Sequence, residues 1–297
     1  MHRRHTLLPF AAAALGIALF SAMDAFMKGA TLAVGAYSAM MVRSLMGAAI
    51  MYPLWRARRG SPPDREALKL HALRGAISAA MAVTFFWALA RMPMAEGIAI
   101  SFIAPLIALY LAAVVLGEKV TRGAIIASLL GLSGVVVIAA NQLGARNMDG
   151  EAVLAIAAML LSAVLYAINL ILQRKQAQIA SPVEVALFQM SFSGLFLAVL
   201  APWLLVLPGA AATGQIALSA LLAAVSLMLL SWAYGQAEAQ ALLTVEYTAF
   251  IWAALLGWLM FDEQVTGATL AGVALIVLGC WIAARQGRPV HSEQTAL

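Results

Sequence analysis

Long apolar runs alternate with short polar separators along nearly the whole chain. A membrane-spanning helix needs roughly 20 mostly apolar residues, and ten runs are close to that length or exceed it. They cover residues 7–27, 34–55, 72–90, 95–116, 123–140, 152–173, 183–205, 214–234, 240–261 and 267–284. The separators are rich in turn-forming and charged residues, as in residues 58–64 with their two arginines, glycine and two prolines. The pattern predicts an all-α integral membrane protein with ten transmembrane helices.

Two other interpretations of the runs fit less well. The strands of a transmembrane barrel are about ten residues of alternating polarity, and these runs are longer and uniformly apolar. The first run follows Arg3 and Arg4, as the core of a signal peptide would. It is too long for such a core, however, and it has a repeat partner later in the chain.

The positive charges follow the apolar runs with a strong bias to one side. With the N-terminus inside, fourteen of the 18 lysines and arginines fall on the inner side, three outside and one within a span. Cytoplasmic loops carry such an excess of positive charge. The bias predicts that both termini are cytoplasmic.

The composition indicates lipid as the solvent of the exterior. Of the 297 residues, 64% are hydrophobic and 10% are charged, whereas soluble domains carry about 25% charged residues. The mean hydropathy is +0.94. The formal net charge of +5 would also suit a nucleic-acid partner, but the cations sit in the loops between spans, so we expect none.

The sequence matches itself when it is shifted by 145 residues. In the clearest match, Glu118, Lys119, Val120 and Thr121 align with Glu263, Gln264, Val265 and Thr266. Trp87 aligns with Trp232, and small residues such as Gly134 and Gly279 keep register, which permits close helix packing in lipid. We expect one repeat over 1–145, a second over 146–285, and a cytoplasmic tail over 286–297.

Each repeat has five spans, so the two halves should insert in opposite orientations. Inverted repeats generally place a substrate site near mid-membrane between the halves, and rocking of the halves opens it to each side in turn. We therefore expect a central cavity lined by spans one, three and four and by their partners six, eight and nine.

These features resemble the drug/metabolite transporter superfamily of the EamA type. The resemblance rests on the ten spans, the repeated Glu-x-Val-Thr stretch, Pro105 in span four, Arg43 in span two and Lys28 closing span one. The second half departs from the pattern, with Phe250 and Phe188 where Pro105 and Arg43 would repeat. The chain is most similar to the YddG-type exporters. The resemblance implies export of aromatic and other apolar amino acids, or of related metabolites, across the bacterial inner membrane.

Charges inside a membrane are costly and tend to face a partner or a cavity. Asp24 and Lys28 are one turn apart on one helix, so they can pair with each other or line an outer vestibule. Arg43 can clamp Asp24 or backbone carbonyls, or it can attract a carboxylate. Glu96 begins a span and should be wet or capping. Glu246, six residues into span nine, is either a helix-packing carboxylate or a ligand for a substrate ammonium group.

Aromatic and polar side chains at matched depth complete the candidate site. Packing or lipid contact is an alternative role for each of them. The substrate-binding candidates are Glu246, Ser101, Phe102, Tyr247, Trp252, Tyr166, Asn169, Trp87 and Trp232. The candidates for cavity charge or gating are Asp24, Lys28, Arg43 and Pro105.

The motifs of several enzyme classes are missing from the sequence. It has no phosphate-binding G-x-x-x-x-G-K-[ST], no H-E-x-x-H and no G-x-S-x-G. The four histidines lie outside the predicted spans, so we expect no metal, no cofactor and no enzymatic activity. We expect a monomeric secondary transporter of a small molecule, with a coupling ion left open. The alternatives are an exporter of purines, quaternary compounds or drugs, or a channel.

The predicted topology can be tested with a reporter that is active only in the periplasm. Fused after Leu297, it should stay silent, because both termini are expected in the cytoplasm. A cytoplasm-active reporter at the same position is the matched control and should give signal. The reverse pattern would reject the ten-span topology.

Overall fold

The chain folds into a bundle of helices. The structure is a computed structural model that describes residues 4–58, 62–104, 106–108, 110–111, 122–145, 150–177, 179–236, 245 and 247–286. Helices α1 to α10 cover Arg4–Ala57, Arg65–Leu89, Met94–Ser101, Arg122–Ala145, Gly150–Ala177, Pro182–Ala198, Ala201–Leu204, Ala210–Gln236, Thr248–Phe261 and Gly267–Gln286. No strand occurs in the part of the chain that these ranges cover. The prediction of an all-helical protein is confirmed there.

Four of the described helical stretches are long and apolar enough to cross a membrane. They are Leu8–Ala57, Arg65–Leu89, Gly150–Gln173 and Ala210–Leu230. Five shorter apolar stretches are Met94–Ala108, Ser128–Gly144, Val183–Ala198, Thr248–Phe261 and Gly267–Ile282. In each of the ten predicted runs most of the described residues are helical, while the number of crossings stays a prediction. Large apolar side chains such as Trp203, 76% exposed, face outward, as an exterior in lipid requires.

Residues 28–33, expected to connect the first two spans as a loop, are helical instead. The break falls at Gly35, whose backbone angles are φ 81° and ψ 154°. Residues with a Cβ are excluded from this region, so glycine lets the chain turn without an intervening loop. Gly35 divides α1 into a first segment ending at residue 34 and a second segment beginning at residue 36.

The two segments of α1 pack against different helices of the second half. In the first segment, the Gly16 carbonyl accepts a hydrogen bond of 2.7 Å from Ser226 Oγ of α8. In the second segment, the Tyr37 hydroxyl donates to the Leu197 carbonyl of α6, and Trp55 meets Phe188 edge-to-face at 6.1 Å. Helix α2 packs mainly on α5 and α6. Much of the core therefore lies between the two halves of the sequence.

Glycines bring α4 and α10 into backbone contact. A Cβ added at Gly134 would lie 2.4 Å from the Gly272 carbonyl oxygen, and one at Gly272 would lie 2.7 Å from the Gly134 carbonyl oxygen. Ile138 and Ile276 close over the same crossing. The expectation that small residues permit close helix approach is confirmed here.

Substitution Gly134→Val should destabilise this crossing, because the new Cβ would meet the Gly272 backbone carbonyl, which cannot move aside as the end of a side chain can. Overpacking of this kind costs about 1–3 kcal/mol. The matched control is Gly144→Val on the same helix, where a Cβ would meet nothing within 4 Å. The single cysteine, Cys280, is buried, so its thermal exposure to a thiol-reactive dye measures unfolding in detergent. Equal midpoints for both variants would contradict the close packing.

Candidate functional site

A buried ion pair joins α1 to the end of α9. We call Lys28, Met92, Met94, Phe261 and Glu263 the Lys28 cluster. The Lys28 side chain is 4% exposed, and its Nζ donates to the Glu263 carboxylate and, at 2.7 Å, to the Met92 carbonyl. The Phe261 ring lies 5.0 Å from the same Nζ, within the range of a cation–π contact. The ammonium group is therefore enclosed by partners from both halves of the chain.

The position of Glu263 follows from how α9 ends. Asp262 takes the left-handed conformation with φ 55°, and its N–H bonds back to the Gly257 and Trp258 carbonyls. This turn lets Glu263 Oε2 accept a hydrogen bond of 2.7 Å from the Met94 N–H. Helix α3 receives no side-chain cap from Pro93, so Glu263 supplies an acceptor at its positive N-terminal end.

Gly257 makes room for that carboxylate. A Cβ at position 257 would lie 2.6 Å from Glu263 Oε2. Glu263 thus contacts α1 through Lys28 and α3 through Met94 while it terminates α9. The stretch 263–266 was recognised from the sequence as part of the internal repeat, but no partner was predicted for Glu263.

The ion pair that the structure forms corrects an expectation for Asp24. Asp24 and Lys28 were expected either to pair with each other or to line an outer vestibule, but Lys28 pairs with Glu263. Asp24 is 3% exposed, and the charge that attracts it is Arg43, from the second segment of α1. The long lysine side chain can reach groups outside its own helix, whereas the short aspartate side chain stays close to α1.

Glu96 was expected to be wet or capping; it is not wet, and because it lies in the first turn of α3 its capping role stays a prediction. It is 3% exposed, and its Oε1 accepts a hydrogen bond of 3.0 Å from Thr269 Oγ1 of α10. The start of α3 is therefore covered by the second half of the chain. A residue near the end of an apolar run can still be buried when another helix packs over it.

A second buried charge sits between α2 and α5. Arg74 is 0% exposed. Its Nε donates to Asn169 Oδ1 at 2.9 Å, its Nη1 to Gln176 Oε1 at 2.5 Å and its Nη2 to Gln173 Oε1 at 3.0 Å. Ser78 Oγ also donates to Asn169 Oδ1 at 3.3 Å. These acceptors lie at i, i+4 and i+7 on one face of α5.

His71 extends this network to α6. Its ring is 0% exposed, with Nε2 at 3.3 Å from Glu184 Oε1 and Nδ1 at 2.5 Å from Gln176 Nε2. The ring also stacks on Phe188, with centroids 5.0 Å apart. We call Arg74, His71 and these five polar partners the Arg74 cluster; its members are His71, Arg74, Ser78, Asn169, Gln173, Gln176 and Glu184.

Most of the Arg74 cluster was not predicted from the sequence. Arg74 was expected among the cations on the inner side and His71 outside the spans, yet both lie inside α2 and are fully buried. The available signal was the stripe of amides at 169, 173 and 176. Three long polar side chains on one face of an apolar helix need polar partners from a neighbour.

Two of the aromatic candidates meet across the halves. Phe102, just after α3, lies edge-to-face with Tyr247, just before α9, at a centroid distance of 5.5 Å and an angle of 86°. Beside them, Ser101 Oγ donates to the Gly97 carbonyl at 2.9 Å and lies 3.4 Å from the sulfur of Met159. Tyr166 is partly buried against the same core. Four candidates therefore pack into the main core of the bundle.

The three tryptophans have different surroundings, and Trp87 also packs against the main core. Trp252 packs on a separate cluster formed by Ala13, Ile17, Leu230 and Ala233. Trp87 is covered by the Arg91 guanidinium, 3.8 Å from its ring. Trp232 is 44% exposed, which agrees with the lipid-facing alternative given for it, and its part in a substrate site stays a prediction. Repeat register fixes depth, but it does not fix which neighbours cover a side chain.

Two candidates, Glu246 and Pro105, lie outside the described residues. Their roles stay predictions.

Comparison with known proteins gives the family of each half. A sequence model of the EamA-like transporter family matches residues 8–140 and again 153–285. The chain is 26% identical over 265 residues to the pseudopaline exporter CntI of Pseudomonas aeruginosa strain UCBPP-PA14, covering 88% of this chain and 90% of that protein. The CntI protein of strain PAO1 gives the same values.

A solved structure shares the fold. A crystal structure of a protein 22% identical to this chain aligns over 98% of this chain and 100% of its own, with a TM-score of 0.62. At this identity the likeness is one of fold alone. The two segments matched by the family model fall within the predicted repeats, whose boundaries stay predictions.

Removing the charge of Glu263 should destabilise the bundle. In Glu263→Gln, Lys28 stays buried without its carboxylate, which should cost about 3 kcal/mol, the low end for a broken buried pair because the Glu263 side chain is 17% exposed. The control is Glu151→Gln, whose pair with Arg91 is 30% and 58% exposed and should contribute less than about 1 kcal/mol. The exposure of Cys280 on heating measures both. Equal effects would show that the Lys28 pair is no stronger than a surface pair.

Proposed function

This chain belongs to the EamA-like transporter family, and on that premise we propose that it exports a small metabolite as a secondary transporter. The path runs between two inverted five-helix repeats, which open in turn to the cytoplasm and the periplasm. The protein works in the bacterial inner membrane as a monomer. A coupling ion is compatible with this scheme but is not needed for it.

One observation carries the proposal: two buried polar clusters join the halves at two levels. Lys28 of the first half holds Glu263 of the second, and Arg74 of the first half holds Asn169, Gln173 and Gln176 of the second. Arg74 and Leu89, the last residue of α2, are separated by about 22 Å of helical rise. Met92 of the Lys28 cluster follows Leu89 by three residues. A carrier needs a closure on each side of its substrate, and these clusters are suited to that role.

The region between the clusters is apolar and aromatic. Phe102 lies eight residues beyond Met94, roughly 12 Å deeper at the rise of a helix, where its ring meets Tyr247. Both rings are partly buried, and they come from opposite halves. Separation of the halves would free a ring face on each side. Stacking on an aromatic substrate contributes about 0.5–1.5 kcal/mol beyond burial.

These rings favour aromatic and other large apolar amino acids as substrates. Glu246 directly precedes Tyr247 in the sequence, and we assign it the substrate ammonium group. A zwitterion stripped of water needs partners for both of its charges. A carboxylate next to Tyr247 in the sequence and six residues into the predicted ninth span would meet half of that need.

A second candidate substrate has its own support. Both CntI relatives are named pseudopaline exporters, and the alignments cover most of each chain. Pseudopaline, or a metabolite like it, is therefore the alternative cargo of the same path.

Counterflow in liposomes tests the function. We expect saturable exchange of tryptophan and phenylalanine by the purified protein, because a carrier is open to only one side of the membrane at a time. Tyr247→Leu should raise the KM for tryptophan about two- to tenfold through lost stacking, and Glu246→Gln should lower exchange of both amino acids. The matched control is Trp258→Leu on α9, whose side chain is 57% exposed and which should behave as wild type.

Each possible result has a distinct meaning. Linear flux without counterflow would indicate a channel. Exchange of pseudopaline without amino acids would replace the first substrate by the second. No exchange of any compound in the panel would reject the proposed function.

A further inference from the structure

The Arg74 cluster and the Lys28 cluster occupy equivalent places in the two repeats. With the offset of 145 residues, Asn169, Gln173 and Gln176 of α5 correspond to Asp24, Lys28 and Thr31 of α1. All six side chains are buried. By the same offset, Arg74 of α2 corresponds to Ser219, which is 0% exposed in α8.

The equivalent interfaces carry their cation on opposite helices. On α1 the cation is Lys28, and its ion-pair partner is the carboxylate of Glu263, just after α9. Where α5 meets α2, the cation is Arg74, and three of its hydrogen bonds go to amide oxygens. Each level of the path therefore holds one buried cation, with a different kind of acceptor in front of it.

The difference in acceptors matters for an anionic substrate. The guanidinium already makes charge-assisted hydrogen bonds to the amide oxygens, and a carboxylate would add the attraction between opposite charges. A carboxylate can also accept hydrogen bonds from Nη1 and Nη2 of Arg74 at the same time. These two groups now donate separately to Gln176 and Gln173. Exchange of amide oxygens for a carboxylate is thus favourable at Arg74. At Lys28 a substrate would have to displace the carboxylate of Glu263.

We propose that Arg74 binds the carboxylate of the transported metabolite and selects for substrates that bear one. This inference rests on the proposed function, because α2 and α5 must separate for a substrate to reach a fully buried side chain. When they do, the amides of Asn169, Gln173 and Gln176 release the guanidinium fork to the incoming carboxylate. When the substrate leaves toward the other side of the membrane, Arg74 again donates hydrogen bonds to the three amides.

The test compares substrates that differ only in the carboxylate. Counterflow of phenylalanine and phenylalaninamide is measured for wild type, Arg74→Gln and Arg74→Lys. Wild type should prefer phenylalanine. Arg74→Gln should lower kcat/KM for phenylalanine roughly tenfold or more relative to that for phenylalaninamide. Arg74→Lys keeps the charge but loses the fork, so it should fall between the two.

A control variant and a binding measurement separate recognition from folding. Lys69→Gln removes an exposed cation from the same helix and should behave as wild type. In the wild-type protein alone, phenylalanine should raise the midpoint of thermal Cys280 exposure more than phenylalaninamide does. This second readout applies even if Arg74→Gln does not fold.

Three outcomes would overturn the inference. If both substrates lose the same factor in the Arg74 variants, Arg74 has only a structural role. If wild type prefers the amide, or binds both equally, the site does not read a carboxylate. Wild-type protein that exchanges neither these two compounds nor pseudopaline would reject the proposed function itself, whereas an unchanged preference in Arg74→Gln would reject this inference alone.

Discussion

The structure depends on one constraint, which is that a charge buried in an apolar bundle must be given partners. Removing an ammonium or guanidinium group from water costs several kcal/mol unless hydrogen bonds and opposite charge replace the water. Lys28 and Arg74 are both almost wholly buried. Each meets this need with groups from the other half of the chain, so the two halves are tied together at the places where charge is buried.

Glu263 shows how much of the fold one such group can organise. Its carboxylate pairs with Lys28 of α1 and accepts the Met94 N–H at the start of α3, while its own backbone N–H bonds to the Gly257 carbonyl of α9. Helix α3 therefore begins and α9 ends around one side chain, which also holds Lys28 of α1. The left-handed Asp262 and the absence of a Cβ at Gly257 are the local conditions for that geometry.

The two clusters present their cations to different acceptors. Lys28 pairs with the Glu263 carboxylate, whereas the Arg74 guanidinium donates to the amide oxygens of Asn169, Gln173 and Gln176. The edge-to-face contact of Phe102 with Tyr247 is a third link between the halves, and it carries no charge. The repeat therefore keeps its register of 145 residues while the polar side chains at matched positions differ.

The sequence by itself determined the helical class, the positions of the apolar runs and the family of the tandem repeat. These follow from hydrophobic length and register, which are local properties of the chain. It indicated Lys28, Asn169, Phe102 and Tyr247 as candidates, because depth along a span is also local. Only the tertiary structure decided that Lys28 pairs with Glu263 rather than with Asp24, that Arg74 and His71 are buried, and that Trp232 faces outward. Such partners are residues 95 to 235 positions apart in the chain, and which of them meet depends on how whole helices pack. No periodicity within a single helix records that choice.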